Sequence, residues 1–151
     1  AMDCPKLKFL PYPPRSVVWV VGNSDHVLPE NGFGNLSSST SPFFLGVMDA
    51  SLSSEGWRRA QRLSLIEGLH LDSIAGLRNL LETLPEWLGD FTSLREIRVK
   101  NCPELSSLPE SIRDLTELKK LQIIDCLELL EKCKGEDKHK IAHIPEVTCE
   151  E

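Results

Sequence analysis

The chain has 151 residues, 40% hydrophobic and 26% charged, with a formal net charge of −6 at pH 7. A chain of this size and balance can bury a core, which excludes a wholly disordered or fibrous polypeptide. The acidic excess argues against a nucleic-acid partner, which requires a basic face, and the longest apolar runs, 17–21 and 43–48, fall far short of the roughly 20 residues of a spanning helix, so membrane insertion is not expected.

Residues 1–21 read as a partial repeat followed by a strand. Cys4, Pro5, Leu7, Leu10 and Pro11 have the spacing found again at Cys102, Pro103, Leu105, Leu108 and Pro109, which implies a chain that starts inside a repeat. The run from Arg15 to Gly22 is rich in valine and predicts a strand. Residues 22–56 break the pattern: NGFGNLSSSTSPFF and the serines at 51, 53 and 54 predict a mobile insertion loop, with Phe43, Phe44 and Leu45 as an apolar tether.

Residues 57–126 carry the repeats. Ala60, Leu63, Leu65 and Gly68 fit the positions of Leu94, Ile97, Val99 and Cys102, and Ile74, Leu77, Leu80 and Leu81 then fall at helical spacing, predicting an outer helix within 69–83. Residues 84–107, LPEWLGDFTSLREIRVKNCPELSS, match 108–131, LPESIRDLTELKKLQIIDCLELLE, at an offset of 24. Leu84/Leu108, Pro85/Pro109, Leu94/Leu118, Cys102/Cys126 and Leu105/Leu129 are identical, and Ile97/Leu121 and Val99/Ile123 keep apolar character. This is the leucine-rich-repeat pattern. It predicts an α/β solenoid, a right-handed superhelix whose short parallel strands line a concave side.

Within each strand Ile97 and Val99 point inward while Glu96, Arg98 and Lys100 point outward. Residues 127–151 predict a capping segment and tail, in which Leu127, Leu130, Ile141, Ile144 and Val147 cover the last coil and Lys132, Lys134 and Glu136 face water.

The Cys-Pro-x-Leu turns, the LPEW and LPES starts, the cysteine-terminated strands and the closing LLEKCKGEDKHKIAHIPEV resemble the C-terminal leucine-rich-repeat region of plant nucleotide-binding leucine-rich-repeat immune receptors of the coiled-coil class. The resemblance covers residues 57–147 well and 3–22 fairly. It implies a non-catalytic module that senses a pathogen effector or guarded host protein and restrains an intramolecular nucleotide-binding switch domain in the cytoplasm. The ADP or ATP of such receptors belongs to that other domain; this chain carries no glycine-rich phosphate loop ending in Gly-Lys-Ser or Gly-Lys-Thr, so no cofactor is expected here. The alternative is a free-standing leucine-rich-repeat adaptor, such as the substrate-recognition part of a ubiquitin ligase. An extracellular receptor is disfavoured by cysteine where such proteins carry asparagine.

The candidate binding residues follow from stacking three coils in columns: Arg62/Glu96/Lys120, Ser64/Arg98/Gln122 and Ile66/Lys100/Ile124. Four cations on an acidic chain make this face suited to an acidic partner surface, against the plainer reading of a solvated sheet face on which Glu96 and Lys120 offset each other. Trp57 and Trp87 are candidate anchors, although the alignment of Trp87 with Ser111 favours packing on segment 69–83. Cys126, Cys133, His139 and His143 are zinc-ligand types, but Cys126 belongs to the repeat lattice and no close Cys-x2-Cys pair exists. The odd number of cysteines, five, reads as reduced thiols of an intracellular protein. No zinc-peptidase, serine-elbow or paired-carboxylate pattern occurs, so no enzyme activity is expected.

Overall fold

The computed structural model describes residues 18–21, 44–48, 66–74 and 83–151. Cys4 to Pro11, the serine-rich stretch, Trp57, Arg62, Ser64 and the later part of the expected 69–83 helix lie outside the described residues. Six strands follow one another in one all-parallel sheet: β1 (Val18–Val21), β2 (Phe44–Met48), β3 (Gly68–Asp72), β4 (Glu96–Lys100), β5 (Lys120–Ile124) and β6 (Glu146–Glu150). Two 3-10 turns, Glu86–Asp90 and Glu110–Asp114, and two helices, α1 (Leu127–Lys134) and α2 (Lys138–Ile141), connect the later strands in a repeat-like α/β arrangement. Among the described residues no helix is long and apolar enough to cross a membrane.

Alternation builds the core. Leu69, Leu71, Ile97, Val99, Leu121 and Ile123 are all buried, and the register sets each beside its equivalent on the next strand. Each of β3, β4 and β5 is followed by a residue with positive φ: Ser73 at 54°, Asn101 at 50° and Asp125 at 53°. Asn and Asp tolerate this left-handed conformation better than most side chains. Each also donates its backbone N–H to the next strand's last carbonyl, at 2.9 Å to Lys100, 3.0 Å to Ile124 and 3.0 Å to Glu150. The residue that follows, Ile74, Cys102 or Cys126, turns into the core.

The returns are stacked in the same way. Pro85 and Pro109, in extended conformation, start the two 3-10 turns, and Leu88 and Ile112 are their buried residues. The Glu86 carboxylate accepts the N–H groups of Ser111 at 3.0 Å and Glu110 at 3.2 Å, satisfying otherwise open donors of the next turn. Those bonds, the one from Ser111 foremost, hold its carboxyl below the usual range. Gly89 is required by this contact, because a Cβ there would lie 2.7 Å from Ser111 Cβ.

Three sequence expectations change. The strand paired with β4 is Gly68–Asp72, so Leu69 and Leu71 belong to a strand where the outer return segment was expected, while Leu63 and Leu65 lie outside the described residues. The stretch read as an insertion loop contributes β2, whose Leu45 and Val47 are buried between β1 and β3. The tail read as a cap adds β6, and two residues assigned to apolar cover are not covered: Leu127 is 64% exposed and Val147 38%. Leu130, Ile141 and Ile144 are buried as expected, and Leu129 and Cys133 join them.

A buried ion pair fastens α2 to the preceding return. Asp137 is 6% exposed and Lys140 8%, and the Lys140 ammonium lies 2.9 Å from Asp137 Oδ1. Lys140 also donates to the Leu108 carbonyl at 2.7 Å, while Asp137 Oδ2 accepts the Ser107 hydroxyl at 2.7 Å and the Leu108 N–H at 3.3 Å. Burial alone would raise the Asp137 carboxyl, but the hydrogen bonds from Ser107, Lys140 and Leu108 outweigh it and hold the group below its ordinary value of 3.8. Burial likewise opposes the charge on Lys140, and the bonds to Asp137 and Glu110 overcome it, raising the ammonium above its ordinary 10.5.

The pH dependence follows from these directions. A lowered carboxyl contributes stability that is complete above its unfolded value and is lost as pH falls through the folded one; a raised ammonium contributes below its unfolded value and loses it as pH rises. The clamp is therefore complete between those limits. Urea midpoints should fall from about pH 6 to about pH 3, and Asp137→Asn should lose less over that interval than the parent. Equal losses would remove Asp137 from the acid response.

Candidate functional site

The outward face of the sheet presents three columns that differ in part from those expected. Glu96, Arg98 and Lys100 from β4 and Lys120, Gln122 and Ile124 from β5 are half-buried and alternate with core residues, as the repeat requires. Their neighbours on β3 are Gly68, His70 and Asp72. Ile66 is 0% exposed and occupies the position of Leu94, so it is a core residue and leaves the candidate site. Beyond β5 the columns continue as Glu146, Thr148 and Glu150.

These columns are not uniform in charge. His70 Nε2 lies 3.2 Å from Glu96 Oε1, and Lys120 Nζ lies 3.2 Å from Glu146 Oε1. Glu96 and Lys120, adjacent in register, thus turn to partners on opposite sides instead of to each other. Asp72 Oδ1 accepts the Ser73 hydroxyl at 2.8 Å and the Asn101 amide at 3.1 Å. Among the described residues, Arg98 and Lys100 have no ion-pair partner. They stand two residues apart on one strand, with Gln122 and Ile124 beside them. The centre of the face is a cationic pair on a half-buried surface, flanked in register by His70 and Asp72 of β3.

The face turns apolar on its other flank. The Phe44 ring occupies the space above Gly68, where a Cβ would come within 2.0 Å of it, and meets the His70 ring at a centroid distance of 5.7 Å. Met48, across from Asp72, is exposed. His70 was missed because its strand was placed six residues earlier, and Phe44 and Met48 because their strand lies in the stretch read as a loop. The signal for His70 was its position three residues before the left-handed Ser73, matching Arg98 before Asn101 by register.

Other candidate chemistry resolves into packing. Cys102 and Cys126 sit on adjacent rungs, with the Cys102 N–H donating to Cys126 Sγ at 3.3 Å and the two thiols donating to the carbonyls of Lys100 and Ile124. The side-chain hydrogen bond between the two thiols, aided by burial, pushes the Cys102 thiol well above its ordinary value, and burial pushes Cys133 up to about 12. His139 and His143 are exposed while Cys126 and Cys133 are buried, and among the described residues no group of three or more His, Cys, Asp or Glu could hold a metal ion. Trp87 is half-buried and packs edge-on against Phe91 at 5.5 Å. A shallow depression of about 460 Å³ lies between the two 3-10 turns, lined by Glu86, Glu110, Ser111, Arg113 and Asp114. Its Glu86 is already committed to backbone N–H groups. No protein-family model, curated protein or solved structure matches the chain.

Proposed function

We propose that the chain is a non-catalytic protein-recognition module, folded as a leucine-rich-repeat right-handed superhelix with its strands on the concave side. In this reading it serves a cytoplasmic plant immune receptor of the nucleotide-binding leucine-rich-repeat class, binding a pathogen effector or guarded host protein and restraining the switch domain. The family part of the reading is supported by the sequence resemblance and by the repeated strand, turn and 3-10 return. The recognition part is carried by one observation: Arg98 and Lys100 stand side by side on the outward sheet face without an ion-pair partner among the described residues.

The recognised surface is acidic in this reading. Selection from a random displayed-peptide library should enrich sequences rich in Asp and Glu. The double substitution Arg98→Glu, Lys100→Glu should weaken those binders by at least roughly tenfold while leaving the melting temperature within a few degrees of the parent. Binders that are not acidic, or that ignore the reversal, would move recognition off this face.

A further inference from the structure

The sheet's last strand has the chemistry of an interior strand and the exposure of an edge. On β6, Val147 and Cys149 fall in register with Leu121 and Ile123, both wholly buried. On β6 the same inward positions are open: Val147 is 38% exposed and Cys149 is exposed. Leu127, at the start of α1, is the most exposed large apolar residue among those described. One row of β6 main-chain groups pairs with β5, and among the described residues no strand takes the other row. Edge strands are commonly protected by proline, by charged side chains, lysine above all, by a bulge or by brevity. β6 is a regular five-residue strand, Glu-Val-Thr-Cys-Glu, with neither proline nor lysine.

Its outward side chains specify a charge. Glu146, Thr148 and Glu150 continue the outward columns, and Glu151 follows them. Lys120 reaches Glu146 from the β5 side, and Glu150 has no ion pair among the described residues. A strand added at the usual spacing of about 4.8 Å would place its own side chains directly beside these carboxylates.

We propose that β6 is a docking edge for an extended strand of a partner protein that alternates cation, apolar, any residue, apolar, cation. The strand runs parallel to β6, with its cations beside Glu146 and Glu150 and its apolar residues over Val147 and Cys149. The main chain supplies affinity and the alternation supplies selection. A second copy fits worse, because antiparallel pairing of β6 with itself sets Glu146 against Glu150 at both ends. The edge is separate from the Arg98 and Lys100 patch and stands or falls independently of it.

Exposed Cys149 allows a register-specific test on the full chain. The probe is the synthetic peptide Thr-Lys-Val-Thr-Cys-Lys-Thr, its cysteine carried as the disulfide with 2-mercaptoethanol. The Cys149 thiolate attacks the peptide sulfur, forming the protein–peptide disulfide and releasing 2-mercaptoethanol, so no further oxidant is consumed. Cys149→Ser is the blank for the other thiols. The lysine peptide should remain attached at 2-mercaptoethanol concentrations about tenfold higher than a peptide with both lysines replaced by glutamate, and Glu146→Lys, Glu150→Lys should reverse that preference. Equal retention of the two peptides, no reversal, or better capture through a cysteine at the first apolar position would overturn the proposal. A predominant Cys149-linked dimer would also overturn it and assign the edge to a second copy.

Discussion

Leu121→Ala should destabilise the chain by about 3 kcal/mol and lower its melting temperature by about 10 °C. Leu121 is wholly buried and lies in register between Ile97 on β4 and Val147 on β6. Truncation removes apolar contact with both neighbours at once. The backbone cannot close the gap, because β5 is hydrogen-bonded on both sides and Lys119 and Lys120 donate to the Arg95 carbonyl at 2.9 and 3.0 Å. A residual cavity therefore adds to the lost transfer energy. The neighbouring substitution Gln122→Ala, on the outward face, should stay within about 0.5 kcal/mol of the parent. A melt in which Leu121→Ala costs no more than Gln122→Ala would put Leu121 outside the core.

The same contrast explains which parts of the fold the sequence disclosed. β4 and β5 were legible because two copies at a constant offset of 24 carry apolar residues at alternate positions. β3 was not, because Leu63 with Leu65 and Leu69 with Leu71 offer the same alternation six residues apart. Choosing the first pair assigned Gly68 to the cysteine position and left Ile74 and the following leucines to be read as a helix. What separates the two choices is the strand exit: Ser73-Ile74 shares with Asn101-Cys102 and Asp125-Cys126 a left-handed residue followed by a buried one.

The candidate site inherited this slip. Its β4 and β5 members kept their outward positions, while Ile66 proved to be the residue that packs below the strand and His70 and Asp72 took the outward places. β2 was hidden by its serine-rich flanks and by Gly46 between Leu45 and Val47. β6 was hidden because only two inward residues, Val147 and Cys149, mark it.

The fastening of α2 gives the other large effect. Lys140→Met should cost about 3 kcal/mol, although methionine keeps most of the apolar stem of lysine and needs no new space. The cost arises from what stays behind. Without the ammonium, Asp137 remains a buried carboxylate held by the Ser107 hydroxyl and the Leu108 N–H, and the Leu108 carbonyl loses a donor at 2.7 Å. An uncompensated buried charge is worse than no charge, so adding Asp137→Asn to Lys140→Met should recover most of the loss. Asparagine still offers an oxygen to the Leu108 N–H and carries no charge to desolvate. Urea midpoints of the parent, both single variants and the double variant form a closed cycle. A double variant no more stable than Lys140→Met would show that the loss comes from packing along the lysine stem and not from the stranded carboxylate.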